Sequence, residues 1–357
     1  MLKKVKRTQT KYLTYAASAV VSEDLPRDGV ITRIDAEVQV TPSATLVAAN
    51  LPMGIWHIID TLRLVGGGGM EYVGMGSGSL LGRMIHGFNQ YDFPELPFVG
   101  ARDLTGPNTT YVPVVFRLHF GSKPKNAFGR DNPFDLSAFV PAHRESSLRM
   151  EWGCPANSVV DGTVTVTSAV MKLTVYMLLG TEQEIREEMA AQGLDPNSPM
   201  SPISSVESYV HTGTKSDLGQ QFDCPMGGFL RRIGILAQDA TTVPLMAMDE
   251  ITRVGLILAQ LNERLIDVDF SSLVTGQMPG GAMLLADEGS TTDTYLQTQK
   301  GLGILDLRQH ANALYGMDCR NLKNGDVKLG VTIGSYASGD DSFYFYDRVA
   351  KINGAIM

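Results

Sequence analysis

Residues 24–34 read DLPRDGVITRI, and residues 223–233 read DCPMGGFLRRI. At one constant offset Asp24, Pro26, Gly29, Arg33 and Ile34 meet Asp223, Pro225, Gly228, Arg232 and Ile233. Gln39 then meets Gln238, giving six identities in sixteen positions without a gap. A Pro and a Gly placed just ahead of an apolar run mark a turn that opens a strand. Meeting the same turn and the same strand twice points to an architecture used twice in one chain.

Outward from the repeat, the first half alternates. In 30–40, VITRIDAEVQV, the set Val30, Ile34, Ala36, Val38 and Val40 shares one face, and Ile31, Arg33, Asp35, Glu37 and Gln39 share the other. That period of two predicts a half-buried strand. Residues 112–120 repeat the pattern, with Val112, Val114, Phe116, Leu118 and Phe120 opposite Arg117 and His119. Leu148, Met150 and Trp152 alternate with Arg149 and Glu151, and Val164 and Val166 open a further strand toward Tyr176.

The second half alternates too. Phe229, Ile233 and Ile235 share a face of a strand through 229–238. Val327, Leu329, Val331 and Ile333 follow an Asn324-Gly325 turn, and Phe343 and Phe345 oppose Tyr344 and Tyr346. The stretch 251–270, ITRVGLILAQLNERLIDVDF, fits a short helix with two strands or one longer helix. The ends of the halves also correspond, with gaps: 134–136 resembles 305–307, and Leu148–Gly153 resembles Leu329–Gly334. Unrelated amphipathic β domains would share the alternation. They would not share the order of the matched pieces.

Between the halves the period changes. Thr181 with Glu184 fits a capping box, and EQEIREEMAAQ is helical sequence that stops at Gly193, followed by a Pro/Ser-rich stretch. The expected organisation is a basic arm over 1–22, a first domain over 23–180, a helix and linker over 181–204, and a second domain over 205–357. Many short strands with few helices predict a mainly β, all-β class: two tandem jelly-roll β-sandwiches with a few short helices.

The 357 residues suit two such domains, and 43% hydrophobic with 19% charged residues suits packed cores. A net charge of −8 argues against a broad nucleic-acid face. Cys154, Cys224 and Cys319 are odd in number and show no CxxC spacing, so they read as buried or free thiols in a reducing cytoplasm. No membrane-length apolar run occurs, and MLKKVKRTQTKYL lacks a secretory apolar core, so synthesis in a cytoplasm is expected. Against the acidic background, Lys3, Lys4, Lys6, Arg7 and Lys11 precede the first acid, Glu23. They read either as a solvated, frayed end or as an arm for anionic lipid, genome or a neighbouring subunit.

The repeated D-x-P-x-x-G-x-x-x-R-I strand, the helix and linker between halves, and the closing GLGILDLRQHANAL…NLKNGDVKLGVTIGSYASGDDSFYFYDRV resemble the double jelly-roll major capsid proteins of tailless, membrane-containing icosahedral viruses of bacteria or archaea. The resemblance spans about residues 20–350. It implies upright jelly rolls, a homotrimeric capsomer, a shell over an internal membrane, and assembly in the host cytoplasm into a virion. Implied partners are further copies of the chain, penton and minor capsid proteins and membrane lipids, without specific nucleic acid. It also implies an inner-side N-terminal arm, where Lys3, Lys4, Lys6, Arg7 and Lys11 would meet lipid phosphates. Rival readings are a minor virion protein, or a cupin- or lectin-like ligand-binding protein.

The chemistry-bearing motifs read as structural, so no catalytic, cofactor or metal site is expected, and no enzyme. Gly66–Gly69 and Gly74-Met-Gly76-Ser77-Gly78 lack the Gly-Lys-Ser/Thr ending of a phosphate loop and read as a flexible surface loop. Ser77 does not sit in a G-x-S-x-G elbow. His57, His86, His119, His143, His211 and His310 show no metal spacing. Asp267 and Asp269 share a face if 265–270 is a strand, and would hold Ca²⁺, do acid–base work or simply be solvated. Asp340-Asp341 reads as a turn, and Asn108-Thr-Thr is a glycosylation sequon that carries no weight without a signal peptide.

Overall fold

The computed structural model describes residues 5–43, 58–75, 81–93, 112–126, 128–157, 165–238, 250–275, 302–337 and 340–352. Its contacts divide the chain into two units, Met1–Ser205 with Val349–Met357, and Val206–Arg348.

The strands of the first unit are β1 (Val5–Thr14), β2 (Val20–Asp24), β3 (Val30–Pro42), β4 (Thr61–Gly66), β5 (Glu71–Met75), β6 (Val112–His119), β7 (Leu148–Gly153) and β8 (Val166–Leu179). Helix α1 (Leu81–Asp92) lies between β5 and β6, and α2 (Glu182–Ala191) follows β8. One sheet has the order β1-β8-β3-β6, and β2, β7, β4 and β5 lie in that order in the other. Two four-stranded sheets with the orders 1-8-3-6 and 2-7-4-5 are a jelly roll.

The chain passes into the second unit along β9 (Met200–Val210). There follow β10 (Lys215–Asp223), β11 (Phe229–Gln238), β12 (Ile251–Leu258), β13 (Glu263–Asp269), helix α3 (Phe270–Thr275), β14 (Leu302–Asp306), β15 (Met317–Asp318), β16 (Val327–Ile333) and β17 (Asp341–Lys351). The orders are β9-β17-β11-β14, with β15 a short addition to β11, and β10-β16-β12-β13. Setting β15 aside, the strands again read 1-8-3-6 and 2-7-4-5. The repeated sequence occupies the same place twice, at the turn from β2 into β3 and from β10 into β11.

The alternating residues fill the cores. Val30, Ile34, Ala36, Val38, Val40, Val114, Phe116, Leu148, Met150 and Trp152 are buried in the first unit. Ile233, Ile235, Val254, Leu256, Val327, Leu329, Val331, Tyr344 and Tyr346 belong to one cluster in the second. Each such side chain contributes roughly 1.5–3 kcal/mol of transfer free energy. The repeated Gly29 has its own packing reason: a Cβ there would collide with the Leu178 carbonyl oxygen on β8. At α2 the capping box is present, with the Thr181 Oγ accepting from the Glu184 N–H and the Glu184 carboxylate accepting from the Thr181 N–H.

Three expectations are refined. Ile31 and Arg33, assigned to the polar face of β3, are buried. The segment after β6 lies over the start of that strand: Ile31 and Val140 exchange backbone hydrogen bonds of 2.9 and 2.8 Å, and the Thr32 hydroxyl donates to the Pro133 carbonyl at 2.6 Å. The ambiguous 251–270 is a hairpin of β12 and β13, and its helix, α3, comes after the strands. Residues 305–306 end β14, whereas 134–136 lie beyond β6 in the segment leading to β7, so these triplets are not equivalent. Leu148–Gly153 and Leu329–Gly334 do correspond, as the seventh strands β7 and β16.

Candidate functional site

In each unit a cluster of buried charged groups sits at the start of the third strand. Arg33 is 2% exposed and is held by Asp131 at 2.6 Å and Asp35 at 2.7 Å. The Tyr176 ring of β8 lies 4.6 Å from its guanidinium, and Arg117 approaches both acids at 3.8 Å. Beside this group His119 Nε2 lies 3.2 Å from Asp135. Burial pushes the Asp135 carboxyl up, but the His119 hydrogen bond and charge, with the Ser137 and Lys123 N–H groups, hold it below its ordinary range. In the second unit Arg231 and Arg232 share Asp347 of β17, at 2.5 and 2.7 Å. Burial raises that carboxyl, yet the two guanidiniums outweigh it and hold it at about 2.

Several other motif residues make structural contacts. Gly66 and Gly67 pack against Glu145 and Ser146 in the β4–β5 hairpin, and Gly68 and Gly69 stand exposed at its tip, on the surface as expected. Asp267 is clamped by Arg253 at 2.6 Å and Arg264 at 3.0 Å, while Asp269 is exposed at the end of β13. His143 Nδ1 lies 3.2 Å from the Gly29 carbonyl oxygen, and His310 is exposed. His211 Nε2 meets the Ser342 Oγ at 2.9 Å, and that hydroxyl is fully buried and donates to the Tyr344 hydroxyl at 2.7 Å. A serine–histidine pair sealed this way has no approach for a substrate. Asp340 caps its own turn by accepting from the Ala337 N–H, and Asp341 opens β17, its carboxyl pushed up to about 6 by burial and then by Asp340. Cys154, Cys224 and Cys319 are buried free thiols, and burial raises the pKa of each. Among the described residues no group of three or more His, Cys, Asp or Glu is arranged to hold a metal ion. No helix among them is long and apolar enough to cross a membrane. Gly76, Ser77, Gly78, His57, Asn108 and the side chain of His86 lie outside the described residues.

Of the basic N-terminal residues, Lys3 and Lys4 also lie outside the described residues. Lys6, Arg7 and Lys11 stand on β1, an outer strand of its sheet. Lys6 lies over the Phe134 ring at 5.0 Å, Arg7 meets Asp28 at 3.1 Å, and Lys11 meets Glu23 at 2.9 Å. Sequence reasoning passed over the apolar residues that the fold leaves outside. Tyr12 is 58% exposed on β1, Val20 is 66% exposed on β2, and Leu265 is 45% exposed on β13. Tyr12 next to the buried Leu13 was a readable signal, because on a strand only one of two neighbours faces the core.

No protein-family model matches the chain, and no curated protein matches its sequence. Its similarity lies in structure. The major capsid protein (MCP) of Sulfolobus turreted icosahedral virus (STIV) superposes with a TM-score of 0.66 at 16% identity, over 98% of this chain and 97% of that one. The major capsid protein P2 of bacteriophage PM2 gives 0.52 at 11% identity, over 97% and 100%. The fold is the double jelly roll. PBCV-1 VP54, fitted into a reconstruction of the virophage Sputnik, gives 0.57 at 9% identity, over 99% and 97%. At these identities the double jelly roll is what the proteins share, from end to end of each chain.

Proposed function

We propose that this chain is a major capsid protein. Three copies associate into a capsomer of six jelly rolls, and capsomers tile an icosahedral shell over an internal membrane, assembled in the host cytoplasm. The observation that carries this reading is the strand order 1-8-3-6 and 2-7-4-5 occurring in both units, in a chain matched over nearly its whole length by viral capsid proteins. A fold alone does not dictate function. The second support is the use of polar groups: the buried Arg33, His119, Arg231 and Arg232 side chains are held by carboxylates of the fold. The reading is of a structural protein without enzymatic activity.

Partners in this reading are further copies of the chain, penton and minor capsid proteins, and membrane lipid. Lys3, Lys4 and Lys6 are the lipid-contacting residues of the arm, each contributing about 1 kcal/mol near an anionic surface. Arg7 and Lys11 are engaged by Asp28 and Glu23 and contribute less. Residues from Val5 onward build β1, so substitution to glutamine at Lys3, Lys4 and Lys6 is a cleaner test than deletion. Binding to anionic vesicles falls if the arm contacts lipid, and unchanged binding contradicts it. The capsid reading is tested by light scattering with electron microscopy of the purified protein. Trimers of hexagonal outline are expected, and a persistent monomer overturns it.

A further inference from the structure

Phe128 stands 86% exposed within the sequence KPKNAFGRDN, residues 123–132. Lys123, Lys125 and Arg130 flank it, in a chain whose net charge is −8. Lys123 donates to the Gln192 carbonyl oxygen at 3.3 Å, and Arg130 is exposed. The one acid of the segment, Asp131, is drawn inward onto Arg33 at 2.6 Å. What faces outward is therefore an aromatic ring among bases.

The segment is a small hairpin that holds the ring out. Lys125 and Asp131 form an antiparallel bridge, and the Asn126 N–H donates to the Arg130 carbonyl at 2.8 Å. The Asn126 Oδ1 accepts from the Phe128 and Arg130 N–H groups at 2.9 and 3.0 Å. Gly129 turns at a φ of 72°, which a residue with a Cβ adopts only under strain. Its place is one end of the first jelly roll. Val5 of β1 faces Leu179, the last residue of β8, while Val30 of β3 faces Leu178 and Arg33 faces His119, the last residue of β6. The segment after β6 thus leaves from the end at which β1 begins. Lys6 of β1 reaches that segment, its Nζ lying 5.0 Å from the Phe134 ring centre.

We propose that the 123–131 hairpin is a membrane anchor: Phe128 enters the interfacial layer of a bilayer rich in anionic lipid, and Lys125 and Arg130 meet the lipid phosphates. An apolar ring with basic neighbours gains from both layers of such a surface, the ring from leaving water and the bases from the negative potential. The hairpin is ordered before it binds, so little entropy is lost on contact. A protruding ring among bases, with its only acid paired inward, asks nothing more specific of a partner than an anionic interface. This deepens the lipid contact proposed for the N-terminal arm and rests on it for a membrane at this end. The hairpin adds the apolar anchor that Lys3, Lys4 and Lys6 lack.

Vesicle flotation of the native full-length protein tests the anchor, with phosphatidylglycerol–phosphatidylcholine vesicles set against phosphatidylcholine alone. Phe128→Ser is expected to weaken binding to the anionic vesicles about tenfold. Arg130→Gln is expected to weaken it about fivefold. Both side chains are exposed, so oligomer size and thermal midpoint should stay unchanged. Phe128→Trp should keep binding and gain an emission, above the wild-type background, that brominated acyl chains quench. Phe128→Ser that binds like wild type, as a hairpin docking on another protein would, overturns the anchor. So does Phe128→Trp that gains no quenchable emission. If glutamine at Lys3, Lys4 and Lys6 abolishes binding while Phe128→Ser does not, the hairpin fails and the arm contact stands. Wild-type protein that floats with neither vesicle overturns both lipid contacts, and trimers by light scattering would still support the capsid reading.

Discussion

Arg33 and Arg232 are the same residue of the repeat, at the same place in the same strand order, and they are held differently. Arg33 lies between two acids at the solvent rim, Asp131 at 37% and Asp35 at 21% side-chain exposure, with the Tyr176 ring of the eighth strand beside it. Arg232 and its neighbour Arg231 are buried and share Asp347, supplied by the eighth strand of their own jelly roll. The eighth strand gives an aromatic ring in one unit and a carboxylate in the other. The position of the cation follows from the fold, and the chemistry that satisfies it does not. The apolar alternation therefore specifies the jelly roll, and each ionic cluster is a local solution to burying an arginine.

The sharpest way to break this comparison is to remove the carboxylates. Asp347→Ala removes the carboxylate that two buried guanidiniums share and is expected to cost about 3–5 kcal/mol. Chemical denaturation measures the loss, and hydrogen exchange should place it in Val206–Arg348. A loss below about 1 kcal/mol would mean that the pair is solvated and the contrast false. Asp131→Ala is the matching change in the first unit. Arg33 keeps Asp35 and the Tyr176 ring, and Asp131 is partly exposed, so only about 1 kcal/mol is expected. Equal losses from the two substitutions would erase the distinction.

Acid should act on both units, because Asp135 in the first is also held below its ordinary range. The folded-state pKa of Asp347 lies at about 2, below the ordinary carboxylate value. Its stabilisation is complete above the unfolded pKa of about 4 and disappears as pH falls through the folded value. His211 is lowered by burial, partly opposed by Asp340, so its neutral form is favoured. The stability that goes with it is present above about pH 6.5 and is lost on acidification. Asp341 works the other way: a carboxyl held at about 6 in the folded state strengthens the fold as pH falls from neutrality toward its unfolded value. Asp341→Asn should therefore raise stability at pH 7 and remove a gain seen on the way to pH 4. A wild-type and variant pair with parallel pH–stability curves contradicts this assignment.

Strands β3, β6, β7, β8, β11, β16 and β17 were legible from alternation, and the repeated turn at Gly29 and Gly228 from identity, whereas β1 lay in what read as a basic arm. What the sequence hid lies in contacts made far along the chain. Asp347 stands on β17, remote in sequence from Arg232, and nothing nearby marks it as the partner. Residues 251–258 read as either helix or strand because both faces of β12 are buried, which removes the period of two. The reason is local: β10 bulges at Asp217 and Leu218, both at positive φ, and lays Leu218 over Gly255 and Gly330 on the outer face of the sheet. A Cβ at Gly255 would press on that leucine. The place of β1 and β13 at the ends of their sheets was hidden for a similar reason, because sheet order is set by long-range pairing and not by any single strand.

The central claim is that two jelly rolls in one chain act as two sixths of a ring. A cryo-electron microscopy map of the native oligomer tests it most directly. Three chains forming six similar lobes around one axis are expected. A two-fold dimer, or a ring without six similar lobes, would contradict it.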